Sequence, residues 1–272
     1  MQGRLLPKYN GRYQAHPVGY WEDEFPIASD LGLKYIEFIF DYNDVELSPL
    51  MSDSGIRKIT DISSDYNVNV KTVCADYFMA YPLHSKSEEV HQMSMSMLNK
   101  LITQCKKIGI TDIIIPCVDQ SSLNDETTKN TFINKMKYFA NKLDNKNINL
   151  SLETDLNPTE FFELINKIDS PNITVNYDLG NSSSLGYDLS EEFDSYGSII
   201  TDIHIKDRSF KGNSVFLGKG DVEFPSFFYE INKIDYKGPL IMQVFRDEEG
   251  VSIFNDQLNW LRNEYEKFIS FN

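Results

Sequence analysis

The sequence contains few of the residue types that define several large protein classes. It has three cysteines, Cys74, Cys105 and Cys117, and no two of them have CxxC spacing. An odd number without that spacing argues against a disulfide framework and against a zinc knuckle. Histidine is scarce as well, with four residues in a chain of 272. We therefore expect neither a disulfide scaffold nor a histidine-rich centre of several metal ions.

Basic residues are also scarce. Lysine and arginine number 26 against 41 aspartates and glutamates, which gives a formal net charge of −15 at pH 7. Because nucleic acids and anionic membranes are bound by clustered cations, this balance argues against both as partners, although a few local cations can still hold a sugar phosphate. No apolar run approaches the ~20 residues that cross a bilayer, and no secretory signal pattern opens the sequence. We therefore expect a protein of the reducing cytoplasm.

Short apolar segments rich in Ile, Val, Phe and Tyr recur along the chain and alternate with helical patterns. Such alternation is typical of repeated βα units around a parallel sheet. The length matches one complete α/β barrel, so we predict a single (β/α)8 TIM barrel domain over residues 1–272. The eight predicted strands are residues 1–5, 34–40, 68–74, 111–117, 148–153, 173–178, 200–205 and 240–245.

Two of the predicted loops are long. Residues 75–87 follow the third predicted strand, and residues 206–222 follow the seventh. Both lie on the face of the barrel that carries active sites, where long loops commonly serve as lids or binding segments. The alternative interpretation is that they are surface insertions.

Four successive predicted strands end on a side chain that can bind a metal ion: Glu153, Asp178, His204 and Gln243. The carboxyl ends of barrel strands face one pocket, so we expect these residues to converge. Each also has a simpler interpretation, as a turn residue, a strand-end carboxylate or a core histidine. Together, at the same height of adjacent strands, they favour a metal site. Oxygen ligands with one imidazole suit one Mn²⁺ or Mg²⁺ ion, and Co²⁺ or Zn²⁺ is also compatible.

Several polar residues near the same strand ends are candidates for binding a substrate. Cations in this position can contact a hydroxyl or phosphate group, but they can equally be ordinary salt-bridged bases. Glu37 either points inward or pairs with a helix lysine. The candidate substrate-binding residues are Arg4, Glu37, Asn181, Lys206, Arg208 and Arg246.

A family resemblance rests on several runs that occur in a characteristic order. They are Met1-Gln-Gly-Arg-Leu, residues 21–24, Gly32-Leu-Lys-Tyr-Ile-Glu, Ser151-Leu-Glu-Thr, Tyr177-Asp-Leu-Gly-Asn, His204-Ile-Lys-Asp and Leu217-Gly-Lys-Gly-Asp. They resemble the sugar phosphate isomerase/epimerase family of xylose isomerase-like TIM barrels. The resemblance implies a divalent metal held at Glu153, Asp178, His204 and the position of Gln243, with a pair of substrate oxygens bound to it.

The sequence departs from this family at two positions. Members usually carry glutamate where this chain has Gln243, and the sugar epimerases often carry histidine where it has Asn181. An amide oxygen can still bind a metal ion, but an amide has no pKa near neutrality and cannot carry a proton. Glu153 then remains to move a proton, and Glu37 is the alternative that could serve as a second base. We therefore expect one-base chemistry, such as aldose–ketose isomerisation, in preference to two-base 3-epimerisation.

The resemblance implies a metal-dependent isomerase or epimerase that acts on a sugar or sugar phosphate through an enediolate. Two alternatives use the same metal site or fold: a dehydratase of a sugar or inositol derivative, and a catalytically inactive sugar-binding barrel. A DNA-repair endonuclease on a related barrel is disfavoured by the four histidines and the negative charge. Barrels of this kind often form dimers or tetramers, so a homo-oligomer is open.

Overall fold

The computed structural model describes residues 1–143, 147–248 and 250–271. Seven parallel strands form one sheet in which each strand pairs with the next along the chain. They are β1 (Tyr35–Ile39), β2 (Asn69–Cys74), β3 (Asp112–Cys117), β4 (Asn149–Thr154), β5 (Ile173–Asp178), β6 (Ile200–Ile205) and β9 (Leu240–Met242). Two further short strands, β7 (Asp207–Arg208) and β8 (Ser214–Val215), form a separate antiparallel hairpin.

The start of the chain fills the gap between the two ends of this sheet. Gln2 N donates a hydrogen bond to Met242 O at 3.2 Å, and Glu37 N donates one to Met1 O at 2.8 Å. The predicted strand over residues 1–5 is nevertheless wrong, because no regular strand forms there. Gly3 has a φ of +54°, which turns the backbone out of the extended conformation after two residues. The result is a nearly closed barrel with seven regular strands.

Helices cover the outside of the sheet, and apolar residues of both layers form the core. Strand β3 shows why the sequence folds this way, since Ile113, Ile114 and Ile115 are all buried and both faces of the strand are covered. None of the helices in the described part of the chain is long and apolar enough to cross a membrane. The helices are α1 (Glu24–Asp30), α2 (Asp53–Tyr66), α3 (Tyr77–Ala80), α4 (Glu88–Ile108), α5 (Glu126–Leu143), α6 (Pro158–Ile168), α7 (Leu179–Leu185), α8 (Leu189–Tyr196), α9 (Phe224–Lys233) and α10 (Val251–Phe271).

The predicted fold class, a TIM barrel, is confirmed. The loop over residues 75–87 contains α3, whose Tyr77 and Phe78 are buried in the core. These aromatic residues therefore pack the barrel and do not form an exposed lid. That residues 1–272 make up one domain stays a prediction.

The loop over residues 206–222 is organised by one buried carboxylate. Asp207 accepts backbone hydrogen bonds from Gly218 at 2.8 Å, Gly220 at 3.0 Å and Val222 at 3.3 Å. A Cβ atom on Gly220 would lie 2.2 Å from Asp207 Oδ1, so this close approach requires glycine. The run Leu217-Gly-Lys-Gly-Asp therefore folds around Asp207.

We predict that Asp207→Asn destabilises the protein by on the order of 2 kcal/mol, because an amide NH2 group would face backbone donors that have lost a charged acceptor. Urea denaturation followed by circular dichroism measures the change. Glu223→Gln, an exposed carboxyl in the same region, is the control and should leave the free energy of unfolding within about 0.5 kcal/mol of the parent value. Equal stability of both variants would show that Asp207 does not organise the loop.

Candidate functional site

Three of the four predicted metal ligands lie together at the ends of neighbouring strands β4, β5 and β6. One ligand atom from each of Glu153, Asp178 and His204 lies within 4.8 Å of the others. His204 Nδ1 is 3.6 Å from Glu153 Oε2 and 3.8 Å from Asp178 Oδ2. All three side chains are buried. The structure therefore brings together two carboxylates and one imidazole that can hold a cation.

Gln243 follows β9 and lines the same cavity as Glu153. Its Nε2 donates a hydrogen bond to Gln2 Oε1 at 2.6 Å, whereas its buried Oε1 has no hydrogen-bond partner among the described residues. Leaving a buried amide oxygen without a partner is costly, and a bound cation would satisfy it. The donor set thus fits a divalent ion. That Gln243 shares one coordination shell with the other three residues stays a prediction.

His204 is held in one orientation by Glu37, which contacts the ring nitrogen that points away from Glu153 and Asp178. Its Nε2 lies 2.8 Å from Glu37 Oε1, and Glu37 Oε2 also accepts a hydrogen bond from Thr72 Oγ1 at 2.7 Å. Because the carboxylate accepts, Nε2 carries the hydrogen. In the neutral ring the lone pair lies on Nδ1, which faces the cluster 3.2 Å from Asn176 Nδ2 and is available to a cation. Such a carboxylate behind a ligating histidine fixes the tautomer of the ring.

The location of Glu37 differs from the substrate contact that we expected. Its side chain has 0% exposure and contacts His204 and Thr72. Glu37 is therefore placed to orient the imidazole of His204 and does not reach the cavity. Beneath it, burial and the Glu37 carboxylate raise the pKa of Asp202 well above its ordinary value. The raised pKa favours the protonated form of Asp202 beside the Glu37 carboxylate. Glu37, Asp202 and His204 form a second compact group, in which Glu37 and His204 already contact each other.

The two carboxylates of the cluster have different proton affinities. Burial and repulsion by Asp178 raise the pKa of Glu153 to about 7. Burial would also raise the pKa of Asp178, but the charge of Lys206 and the contact with His204 outweigh it and hold this pKa well below its usual range. Lys206 Nζ lies 2.8 Å from Asp178 Oδ2. Glu153 can therefore exchange a proton near neutral pH while Asp178 stays ionised.

Two amides hold the carboxylate of Glu153 in place. Asn176 Nδ2 donates to Oε2 and Asn181 Nδ2 donates to Oε1, each at 2.9 Å. Asn181 is in turn fixed by Arg208, whose Nη1 donates to Asn181 Oδ1 at 2.8 Å. The candidate proton carrier is therefore oriented by neutral donors on both oxygens.

The cluster opens into a cavity of about 460 Å³ at the carboxyl ends of the strands. A larger surface groove of about 750 Å³ lies along α7, α8 and α9 and is lined by none of the four predicted ligands. We therefore take the smaller cavity as the candidate site. Its lining residues are Arg12, Tyr13, Gln14, Tyr42, Cys74, Asp76, Met79, Pro116, Val118, Asp119, Gln120, Glu153, Asn181, Lys206, Arg208 and Gln243.

Three of the candidate substrate-binding residues, Asn181, Lys206 and Arg208, line this cavity. The side chain of Lys206 can pack in its position only because residue 180 is glycine. A Cβ atom on residue 180 would lie 2.7 Å from Lys206 Cγ. The glycine of the run Tyr177-Asp-Leu-Gly-Asn is therefore explained by the packing of the lysine stem.

Arg4 and Arg246 have a different location. The Arg4 guanidinium donates to the backbone carbonyl groups of Val244, Gln2 and Gly3, and Arg246 Nε donates to Arg4 O at 2.8 Å. Both arginines thus join the start of the chain to the segment after β9. Neither is among the described residues that line the cavity.

The prediction from sequence did not include Asn176, Asp202 or Asp76. Asn176 precedes Asp178 by two positions, and Asp202 precedes His204 by two, so each pair lies on the same face of its strand. From this spacing of two residues, the sequence could have predicted that Asn176 and Asp202 lie next to the cluster. Asp76 lies two residues beyond the end of β2 and could have been found by the same strand-end argument as the metal ligands.

The fold and the geometry of the site define a barrel of the xylose isomerase class, and comparison with known proteins agrees. The family described as xylose isomerase-like TIM barrel matches residues 25–264, so the chain belongs to this family. Among named relatives, it is 24% identical over 265 residues to the putative L-ribulose-5-phosphate 3-epimerase SgbU of Haemophilus influenzae, which covers 91% of this chain and 92% of that protein.

Solved structures agree on the fold. The 3-keto-D-glucoside 4-epimerase YcjR of E. coli superposes with a TM-score of 0.72 at 14% identity, covering 89% of this chain and 94% of that one. A xylose isomerase-like TIM barrel protein from Mycobacterium smegmatis, in complex with magnesium, gives a TM-score of 0.70 at 16% identity, with coverage of 93% and 90%. The predicted family is therefore confirmed.

We predict that Glu37→Gln weakens the affinity for Mn²⁺ by about 10- to 100-fold, because the neutral amide no longer polarises the Nε2–H group of His204. Isothermal titration calorimetry measures the dissociation constant. Glu230→Gln removes a buried carboxyl on α9 whose partner is Lys233, and it serves as the control. If both variants bind Mn²⁺ as tightly as the parent, Glu37 does not orient a metal ligand.

Proposed function

We propose that this protein is a divalent-metal-dependent enzyme that moves a proton on the carbon next to the carbonyl group of a sugar or sugar phosphate, and thereby isomerises or epimerises it through an enediolate. The observation that carries the proposal is the position of Glu153. Its carboxyl has a pKa of about 7 and lies in a cavity beside Asp178 and His204. The printed names of the relatives, L-ribulose-5-phosphate 3-epimerases, support the substrate class.

Glu153, Asp178, His204 and Gln243 would hold the metal ion, and Mn²⁺ or Mg²⁺ suits this donor set best. The magnesium complex of the related barrel supports this assignment. When bound, the ion supplies a Lewis acid that polarises the carbonyl group of the substrate. Co²⁺ and Zn²⁺ also suit the donors.

The side chains of this protein then have separate tasks. Glu153 removes the proton, and Asn176 and Asn181 keep its two oxygens oriented. Lys206 keeps Asp178 ionised through its ion pair at 2.8 Å. Arg208 lines the same cavity and provides positive charge for an anionic group of the substrate, such as a phosphate. A cytoplasmic location and a homo-oligomer stay predictions.

We predict that the Mn²⁺-loaded protein incorporates deuterium from D2O into the carbon adjacent to the carbonyl of a ketose or its phosphate. NMR of L-ribulose 5-phosphate, and of other ketose and aldose phosphates and free sugars, measures the exchange. Asp178→Ala and His204→Ala should lose both Mn²⁺ binding and exchange while they keep the fold, because strand-end side chains contribute little to the barrel core.

The control for these variants is His91→Ala, which removes a histidine on α4 that contacts Glu88. It should retain both Mn²⁺ binding and exchange. Full stoichiometric Mn²⁺ in both Asp178→Ala and His204→Ala would contradict the metal site. Metal binding without exchange into any of these sugars would contradict the proposed reaction.

A further inference from the structure

Asp76 and Glu153 lie at the carboxyl ends of two strands on either side of β3 and line the same cavity. In the register of the sheet, Cys74 of β2 lies opposite Ile114, and Pro116 lies opposite Glu153. Asp76 follows Cys74 by two positions, where the chain leaves β2 and α3 begins. Adjacent strands are ~4.8 Å apart, so β2 and β4 are roughly 10 Å apart. The two carboxyl groups therefore approach the cavity from different strands.

The contacts of Asp76 are unusual for a buried carboxylate. Its side chain accepts hydrogen bonds from Cys74 Sγ at 3.2 Å and from Gln14 Nε2 at 3.1 Å. Within the described residues, no lysine, arginine or histidine lies within ion-pair distance of it. Asp178, by contrast, pairs with Lys206, and a carboxylate buried for structural reasons normally has such a partner. Asp76 is therefore a carboxyl held by neutral donors on the wall of the cavity.

The other lining residues are less suited to carry a second proton. Among the described residues that line the cavity, the carboxyl groups are those of Glu153, Asp76 and Asp119, and Asp119 is exposed. Burial and the neighbouring carboxylates raise the pKa of the Cys74 thiol well above its ordinary value, so it stays protonated. Burial also raises the pKa of Asp76, assisted by repulsion from Asp41 and Glu37. A raised pKa brings a carboxyl closer to the range useful for acid–base catalysis.

We propose that Asp76 is a second proton-transfer residue that works on the face of the substrate opposite to Glu153 and fills the role that Gln243 cannot. This proposal rests on the proposed function. It revises the expectation of one-base isomerisation, which followed from the amide at Gln243, and it assigns the protein to epimerisation at the carbon next to the carbonyl.

The proposed step removes one proton from the substrate carbon and returns one proton to its other face. One ionised carboxylate takes the proton from the carbon, and the electron pair of the broken C–H bond forms the enediolate. The other carboxyl, which starts protonated, gives its proton to the opposite face of that carbon. The configuration is inverted, the two carboxyl groups have exchanged protonation states, and exchange with solvent restores them before the next turnover.

The test uses the full-length Mn²⁺-loaded protein with L-ribulose 5-phosphate and its C3 epimer in D2O, followed by NMR. Asp76→Asn should slow inversion by about 100-fold or more. It should retain deuterium exchange, with retention of configuration, in the epimer whose proton faces Glu153. Its affinity for Mn²⁺ should not change. Glu223→Gln, which replaces an exposed carboxyl outside this cavity, should invert both epimers within about twofold of the parent rate, since surface changes are generally mild.

Asp76→Glu keeps a carboxyl group and should restore part of the inversion, which separates loss of the proton carrier from loss of folding. If Asp76→Asn inverts the substrate at the parent rate, the role of Asp76 is wrong and the proposed function stands. Asp76→Asn could instead slow deuterium exchange equally in both epimers and raise KM, with no recovery of either in Asp76→Glu. In that case Asp76 binds the substrate and is not a proton carrier. If the parent protein binds Mn²⁺ but exchanges no proton in any sugar, both proposals fail.

Discussion

His204 lies among carboxylates that the barrel removes from water, and the arrangement of the site follows from the need to compensate their charge. Burying an ionised carboxylate without a partner is very costly. Glu37 is compensated by His204 and Asp178 by Lys206, and a raised pKa favours the uncharged form of Asp202. Glu153 is left with neutral donors and a raised pKa. The most weakly compensated carboxylate of the cluster is thus the one that can exchange a proton.

Residues further from the cluster support this compensation of charge. Gly180 leaves room for the stem of Lys206, and Asp207 folds the loop that continues from the lysine. The backbone of Met1 and Gln2 connects β1 to β9 and brings Glu37 to the back of His204. The backbone hydrogen bonds that close the barrel therefore also help to place the carboxylate that orients the imidazole of His204. The same closure gives the cavity a wall from β2, on which Asp76 lies opposite the cations that follow β6.

The sequence predicted most of this architecture because buried parallel strands produce short apolar runs bounded by turn residues, as in Ile113–Ile115 of β3. The predicted strand over residues 1–5 was wrong because Gly3 has a positive φ and ends the extended conformation. The convergence of Glu153, Asp178 and His204 was predicted because each lies at the end of a strand. The position of Glu37 behind His204 could not be predicted, because that contact joins β1 to β6 across the barrel and depends on its curvature. Asp76 was missed because it lies in the loop beyond its strand.

The most direct test of the central claim is anomalous X-ray diffraction from crystals grown with Mn²⁺. We predict one strong anomalous peak, with oxygens of Glu153 and Asp178 and Nδ1 of His204 as ligands at about 2.0–2.6 Å. The amide oxygen of Gln243 should complete the protein part of the shell. A peak elsewhere in the molecule, ligation of His204 through Nε2, or the absence of any peak at saturating Mn²⁺ would contradict it.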